Sequence, residues 1–568
     1  MCQVVQTMGG AQTLSVLDLP DSLHLKVFMS LLLQSVRCVS LTCSRLRRIA
    51  LDQQLWKTMF QRDFKVPESV PLSPQASSWR AEYRRLYDES PAVLCEEVLQ
   101  HKDEVLNVTF SHNGEMFATC SKDGTVKVWN ARTPCTLRFT ADMKARFQWR
   151  YTRSSQFNKS GTLLLVVGVL DFGLHLNGEV AVFDLEQDFR LVSRSLNAPN
   201  DWYSAWYDDC HILTGTLCRA NNLESTSAVW LTKASRAVTS ERKYATINPF
   251  RFKNCSSGHV RMMIVADVTM VTDESQSASV EESTIPTESG MDSFLADSTE
   301  KPAEYDGEFS YDSIGATGCA HHSVHSTQDI TASLPKHNGT SDILSSRAKK
   351  LLIFTLSKEA YDAHIVGIKQ MTEEEIRREE EAIEGLQWPV TEDGLLPRTN
   401  RDIGGSGCVS EVDYTFNMHG QIIGMALSPD QRYLYVNCRR WLVEDEDEEE
   451  MNTPPLSQEI DIHVFDLLTF TKIDTVLRSH KASFSNAAFI YLNVNDLFVV
   501  SGAEDSQGYM WDRHYGVHVR CFPHDNVVSS CAFNPVDPEM LVTASDDNKI
   551  KIWRSRRQMR EMYEKKYI

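Results

Sequence analysis

Residues His101–Trp129 read HKDEVLNVTFSHNGEMFATCSKDGTVKVW, and residues His524–Trp553 read HDNVVSSCAFNPVDPEMLVTASDDNKIKIW. A histidine opens each stretch. A threonine, an aspartate four residues on and a tryptophan six residues beyond that follow: Thr119, Asp123 and Trp129 in the first, Thr543, Asp547 and Trp553 in the second. His480, Ser501, Asp505 and Trp511 repeat the same two steps. In the dry interior of a four-stranded blade, a loop imidazole, a strand hydroxyl, a turn carboxylate and a strand indole N–H can satisfy one another. Left unpartnered there, each would be costly. These residues read as architecture rather than as a catalytic dyad.

Weaker units fill the interval. Ser155–Leu185 repeats at Phe157–Gly161 the F-x-x-x-G turn of Phe110–Gly114, and Trp202–Leu231 carries a further strand ending in AVWL. One unit is split between Val260–Asp267 and Lys349–Ser357, and another starts at His419 and resumes in EIDIHVFDL. With insertions at 268–348, 370–415 and 442–458 set aside, residues 101–553 divide into seven units of about 44 residues, the period of a β-propeller blade. A ring of blades closes by pairing its ends, so Val93–Leu99 is expected to supply the outer strand of the last one.

Composition narrows the function. The net charge of −19, from 58 basic and 77 acidic residues, argues against a nucleic-acid coat; protein partners are expected. The apolar runs fall short of the roughly 18 residues that a spanning helix needs, and MCQVVQTMGG lacks the basic and apolar regions of a secretory signal. No membrane partner and a cytoplasmic location are expected, with the nucleus and centrosome as further locations. Fourteen cysteines without a C-x-x-C pair suggest reduced thiols rather than a zinc or disulfide framework. Cys319, His321, His322 and His325 gather in the 268–348 insertion, where a Ser/Thr/Glu-rich, disordered tract open to phosphorylation is the simpler reading. No metal or cofactor is expected. TEEEIRREEEAIEGL reads as a charged helix, Glu444–Glu450 as a solvated acidic run, and the basic tail 556–568 as a solvated end.

Ahead of the repeats, the periodicity changes. Leu23, Val27 and Leu31 lie four apart, Val36, Val39 and Cys43 continue a helical stripe, and Trp56 with Phe60 closes it. Pro20 suits a first helical turn, and Asp21 complements the helix dipole there. The expected organisation is an N-terminal segment 1–16, an all-α module 17–64, a helical linker 65–92 and a propeller 93–555, followed by the tail.

Leu19-Pro20, Phe28 to Leu31, Cys43 and Leu55-Trp56 resemble the signature of the F-box, with Leu46 standing where many F-boxes carry Trp. The repeats resemble the WD repeat, and the combination is similar to the F-box and WD-repeat proteins. The fold implied is a seven-bladed all-β WD-repeat propeller preceded by a small all-α F-box module. The function implied is that of a non-catalytic substrate receptor in a Skp–cullin–F-box ubiquitin ligase, acting on protein substrates that include centriole-assembly and actin-regulatory proteins. Leu19, Pro20, Leu23, Phe28, Leu31 and Leu32 are the candidates for the Skp-type adaptor, which carries a cullin-one scaffold. The resemblance also implies a second route through the damage-specific DNA-binding-protein adaptor to a cullin-four scaffold, for which Trp553 and Arg556 are the candidates. Trp149, Arg150, Trp202, Arg440 and Trp441 fall in expected loops on the face bearing the tetrad histidines and are the candidates for substrate, being of the types enriched at interface hot spots. The competing reading is an interaction scaffold whose helical cap only stabilises the propeller.

Overall fold

Seven four-stranded antiparallel sheets follow one another along the chain. The computed structural model describes residues 16–172, 175–197, 203–219, 224–234, 246–255, 260–268, 349–356, 364–372, 374, 410–442, 456–482 and 489–566. The Cys319–His325 cluster, the acidic run at 444–450, the charged segment after residue 374 and Trp202 lie outside these residues. Blades 1 to 6 span residues 105–142, 149–197, 204–255, 260–417, 420–481 and 492–523. Blade 7 takes three strands from 528–555 and its outermost from Pro91–Val98, which pairs with Ile550–Ser555 from Pro91↔Ser555 to Val98↔Ile550. The ring is closed by chain that precedes it.

Each blade buries both faces, so strands such as Met116–Ser121 and Met540–Ser545 are buried at every position, their small hydroxyl residues included. Phe117, Trp129, Phe183, Phe252, Phe354 and Phe465 are among the large side chains fully buried between blades. Inner strands also exchange hydrogen bonds with their neighbours' backbones. Asn107 accepts from the Ser155 N–H at 3.1 Å, Ser530 from Val108 at 3.1 Å, and Asn493 from Phe533 at 3.1 Å.

In blades 1 and 7 the tetrad is a directed relay. An indole N–H can only donate, so Trp129 donates to Thr119 Oγ1 at 3.0 Å. An ionised carboxylate can only accept, so the imidazole proton stands on Nδ1 and is donated to Asp123 at 3.0 Å, where the Lys102 N–H adds a second bond at 3.0 Å. The bare Nε2 of the neutral ring then accepts from the Thr119 hydroxyl at 2.9 Å. Burial works against charge on Asp123, but the bonds from His101 and Lys102 outweigh it and hold the carboxyl well below its usual range. Burial also keeps His101 below the ordinary imidazole value. Trp553, Thr543, His524 and Asp547 repeat the relay at 2.9, 2.7 and 2.9 Å.

The third expected tetrad is not made. Trp511 Nε1 donates instead to the Arg478 carbonyl at 2.8 Å, Ser501 donates to Gly502 O and accepts from Asn437, and Asp505 accepts from Tyr509. His480 is fully buried, and neither ring nitrogen has a hydrogen-bond partner among the described residues. The reason is distance along the chain. His101 and His524 stand just before inner strands beginning at Val105 and Val528, whereas His480 lies within the strand Thr471–Lys481, well before the next inner strand at Leu492. It packs edge-on against Trp511 at 4.9 Å, as an apolar ring would.

The N-terminal module comprises α1 (Asp21–Ser30), α2 (Leu33–Ser40), α3 (Ser44–Ile49) and α4 (Gln53–Phe64), followed by the linker helix α5 (Trp79–Asp88). A short α6 (Met143–Phe147) joins blades 1 and 2, and α7 (Arg556–Lys566) ends the described chain. Arg45 and Arg48 bind Asp21 at 2.7 and 2.8 Å, tying the start of α1 to α3. Their hydrogen bonds hold the Asp21 carboxyl below its usual value. Asp52 caps α4 through the Gln54 N–H, and Ser78 caps α5 through Ala81. Phe28, Leu33, Val36, Leu46, Ile49, Leu55 and Met59 form the module's core, and Trp56 donates to Ala50 O at 2.9 Å.

Two outcomes follow. Deleting residues 93–99 removes the closing strand, and the expected result is a lowered, broadened thermal transition; an unchanged melt would refute closure by this strand. Burial pushes the His480 imidazole down to about 3, with His518 adding to the shift. The unfolded chain therefore takes up a proton between pH 6.5 and 3 that the folded chain refuses, and stability falls as pH falls through that window. His480→Phe is expected to recover about 2 kcal/mol at pH 5 with little change at pH 7.5, read as the difference in Tm between the two conditions.

Candidate protein-binding surfaces

Apolar side chains are exposed in unusual concentration on the helical module. Leu23 and Val27 lie one turn apart on α1, and Leu32 and Leu41, 75% and 86% exposed, stand at the turns bounding α2. Exposed apolar patches of this kind mark interaction sites. Of the expected adaptor contacts, Pro20, Leu23 and Leu32 face solvent and Leu19 and Leu31 are half-buried. Phe28 is a correction: at 3% exposure it belongs to the core, because the stripe that packs α1 against α4 runs through it. In sequence Val27 reads only as part of the α1 stripe, and Leu41, at the turn that ends α2, lies off the stripe and is not among the adaptor candidates.

The module is seated on blades 6 and 7, and its core runs on into theirs through Phe498, Met510, Tyr515, Phe522 and Trp553. Phe60 meets Tyr515 edge-on at 5.0 Å, and the Tyr515 hydroxyl accepts from the Ser73 N–H at 3.1 Å. Arg85 of α5 donates to Glu82 and to Asp512 at 2.6 Å each, with both carboxylates nearly fully buried. Burial alone would weaken the charge on Arg85, but the two carboxylates more than offset it and raise its pKa. Arg520 reaches the Leu86 and Tyr87 carbonyls at 3.0 and 3.1 Å, capping the end of α5. Asp88 binds Arg37 at 3.0 Å and Arg560 of α7 at 3.1 Å.

This joint accounts for the second-adaptor candidates. Trp553 serves the blade 7 tetrad. Arg556 donates to Tyr87 O at 2.7 Å and lies 4.4 Å over the Tyr87 ring. At Trp511–His514, Asp512 is held by Arg85, while Arg513 donates to Asn495 O at 2.9 Å and to the Tyr435 hydroxyl at 3.1 Å. Trp553, Arg556, Asp512 and Arg513 thus also serve internal contacts, while His514 is exposed. The basic tail is corrected likewise: it is the helix α7, whose Arg556, Arg557 and Arg560 bind Tyr87 O, Glu539 and Asp88.

On the propeller, the starts of inner strands and the ends of second strands share the face that carries the tetrad histidines. Trp149 and Arg150 begin the inner strand of blade 2, and Arg440 ends the second strand of blade 5, beside Trp441. Trp149 is a correction: it is fully buried, its indole donates to the Glu179 carboxylate, and its ring covers Gly168, where a Cβ would come within 1.8 Å of it. Arg150 and Arg440 are exposed. Arg440 binds Asp461 at 3.0 Å, an aspartate also held by Arg478 at 3.1 Å. Trp441 is half-buried and bridges to Leu456.

The geometry thus defines a class of protein: a helical module with an exposed apolar face, welded to a seven-bladed propeller. Residues 16–62 match the F-box-like family, and residues 94–130 and 516–554 match the WD domain, G-beta repeat. The chain is 36% identical over 564 residues to mouse F-box/WD repeat-containing protein 5, covering 95% of this chain and 94% of the mouse protein. It is 36% identical to the human protein of that name over 556 residues, 95% of each. A shorter likeness, 27% over 165 residues, joins it to a WD repeat-containing protein 26 homolog of Arabidopsis thaliana, covering 29% of this chain and 24% of that one. The chain belongs to the F-box/WD repeat-containing protein family.

Arg85→Met would leave two buried carboxylates without their cation, and removal of one partner of a buried pair costs about 3–5 kcal/mol. A loss of that size is expected in chemical denaturation, together with faster proteolysis between residues 65 and 90.

Proposed function

We propose that this chain is the substrate receptor of a Skp–cullin–F-box ubiquitin ligase. The observation that carries the reading is the exposed apolar face around Leu23, Val27, Leu32 and Leu41, held in fixed relation to the propeller by the buried Arg85–Asp512 pair. A helical cap that only stabilised the propeller would turn such residues inward and would have no use for an apolar outer face. The module binds the Skp-type adaptor and through it the cullin-one scaffold. The propeller presents a protein substrate. The chain contributes proximity rather than chemistry: a substrate lysine held near the conjugating enzyme's thioester reacts at a high effective concentration. Rigidity of the joint matters to that role, since a fixed span between adaptor and substrate limits the volume that the lysine explores. We place this activity in the cytoplasm, on substrates of the centriole-assembly and actin-regulatory classes that the family resemblance implies.

The test is capture of the Skp-type adaptor and cullin-one by the full chain and by the double variant Leu23→Asp/Leu32→Asp. Both side chains are exposed, so the melting temperature should hold while capture falls by at least tenfold. Undiminished capture would reject the reading.

A further inference from the structure

The outer strand of blade 6, His518–Pro523, turns an imidazole and a thiol toward each other: His518 Nε2 lies 3.4 Å from Cys521 Sγ. Residues three apart in a regular strand point to opposite faces. The register explains the exception. Tyr509 pairs with Cys521, Met510 with Arg520 and Trp511 with His518, so Val519 is an extra residue in the ladder. A bulge of this kind re-aims the neighbouring side chain and brings the imidazole onto the face that carries Cys521. There the His518 ring stands 5.4 Å from that of Tyr509 and 6.1 Å from that of Trp511.

A third donor atom joins them. The Arg520 carbonyl can only accept, so His518 Nε2 carries the ring proton and donates it at 2.9 Å. A protonated Nε2 has no lone pair to offer the Cys521 thiol, so the 3.4 Å contact is not an S–H···N hydrogen bond. It matches another geometry: a zinc ion holds a thiolate sulfur at about 2.3 Å and an imidazole nitrogen at about 2.0 Å, which at the tetrahedral angle sets the two about 3.5 Å apart. Cys521 is exposed, so an ion can reach the site from solvent. Partial burial and the Asp505 carboxylate push the Cys521 thiol up. Asp505 accepts from the Tyr509 hydroxyl at 2.7 Å on one oxygen, and its other oxygen is buried with no hydrogen-bond partner among the described residues. A cation beside the sulfur answers that charge. Among the described residues no group of three His, Cys, Asp or Glu side chains is placed to hold a metal ion; here two such side chains are completed by a main-chain oxygen.

We propose that His518 Nε2, Cys521 Sγ and the Arg520 carbonyl bind a divalent cation of the zinc class, whose preference for nitrogen and sulfur in a tetrahedral set fits these donors, with water in the fourth position. When the ion binds, the thiol proton passes to solvent and the ring proton moves from Nε2 to Nδ1, so one proton is released per ion. The bound ion clasps the two sides of the bulge, in a blade whose own relay is not made. The site is independent of the receptor reading.

The experiment uses the full chain, stripped of metal with a chelator and kept reduced with a phosphine, then given zinc and dialysed. Wild type should retain one more zinc per chain than either Cys521→Ser or His518→Ala, read by elemental mass spectrometry; comparison between the chains cancels any zinc held by other thiols. In wild type, zinc should also slow alkylation of Cys521 by iodoacetamide at least tenfold, followed by peptide mass spectrometry, and in His518→Ala it should not. Equal zinc in all three chains overturns the proposal, as does a loss confined to one variant. So does alkylation of wild-type Cys521 that is indifferent to zinc, a readout that needs no variant to fold. Adaptor capture plays no part in either measurement, so failure here leaves the receptor reading standing.

Discussion

The pairing of Pro91–Val98 with Ile550–Ser555 is the constraint on which the rest of the molecule depends. A propeller has no layer beneath it to hold its blades in place; closure keeps the first and last from parting. Here the closing strand follows α5 with only Glu89 and Ser90 between them. The segment that locks the ring also carries the helical module, and Arg520 of blade 6 and Arg556 at the start of α7 fasten the end of α5 at the point where helix becomes strand. Seating the module and shutting the ring are two ends of one interaction.

Buried polar chemistry is used sparingly and with direction. In blades 1 and 7 a donor-only indole at one end and an acceptor-only carboxylate at the other force a single sense on the relay, so that a neutral imidazole and an ionised carboxylate coexist in a dry space. At the joint, one guanidinium serves two carboxylates. Such pairs add little to stability over an apolar substitute, but they penalise a wrong seating heavily. The helical module therefore has one position on the propeller rather than a greasy surface on which to slide.

Much of this was legible in the chain. Blades 1 and 7 could be read because their polar residues recur at fixed steps that only a blade requires. Blade 6 shows where spacing misleads: Ser501, Asp505 and Trp511 keep their steps, but the relay also needs the histidine at the mouth of the inner strand, and the distance from His480 to Leu492 puts it out of reach. For the helical module, periodicity located the helices but could not divide Phe28 from Leu23 and Val27, since a stripe with two apolar partners looks like a stripe with one. Arg150 was legible as an exposed loop arginine.

Blade 6 is also the blade on which α4 and α5 rest, through Tyr515, Phe498 and Asp512. Having no internal relay, it draws part of its polar order from outside: the carboxylate that follows its tryptophan accepts from the His514 and Tyr515 N–H groups of its own turn and, on its other oxygen, from Arg85 of α5. The boundary that a reader of the sequence would draw between helices and repeats is therefore not a boundary in energy. Cut at that point, the propeller would keep seven blades but lose the counter-ion and apolar cover of one of them. Its two parts are better regarded as a single cooperative body in which the smaller supplies what the larger lacks.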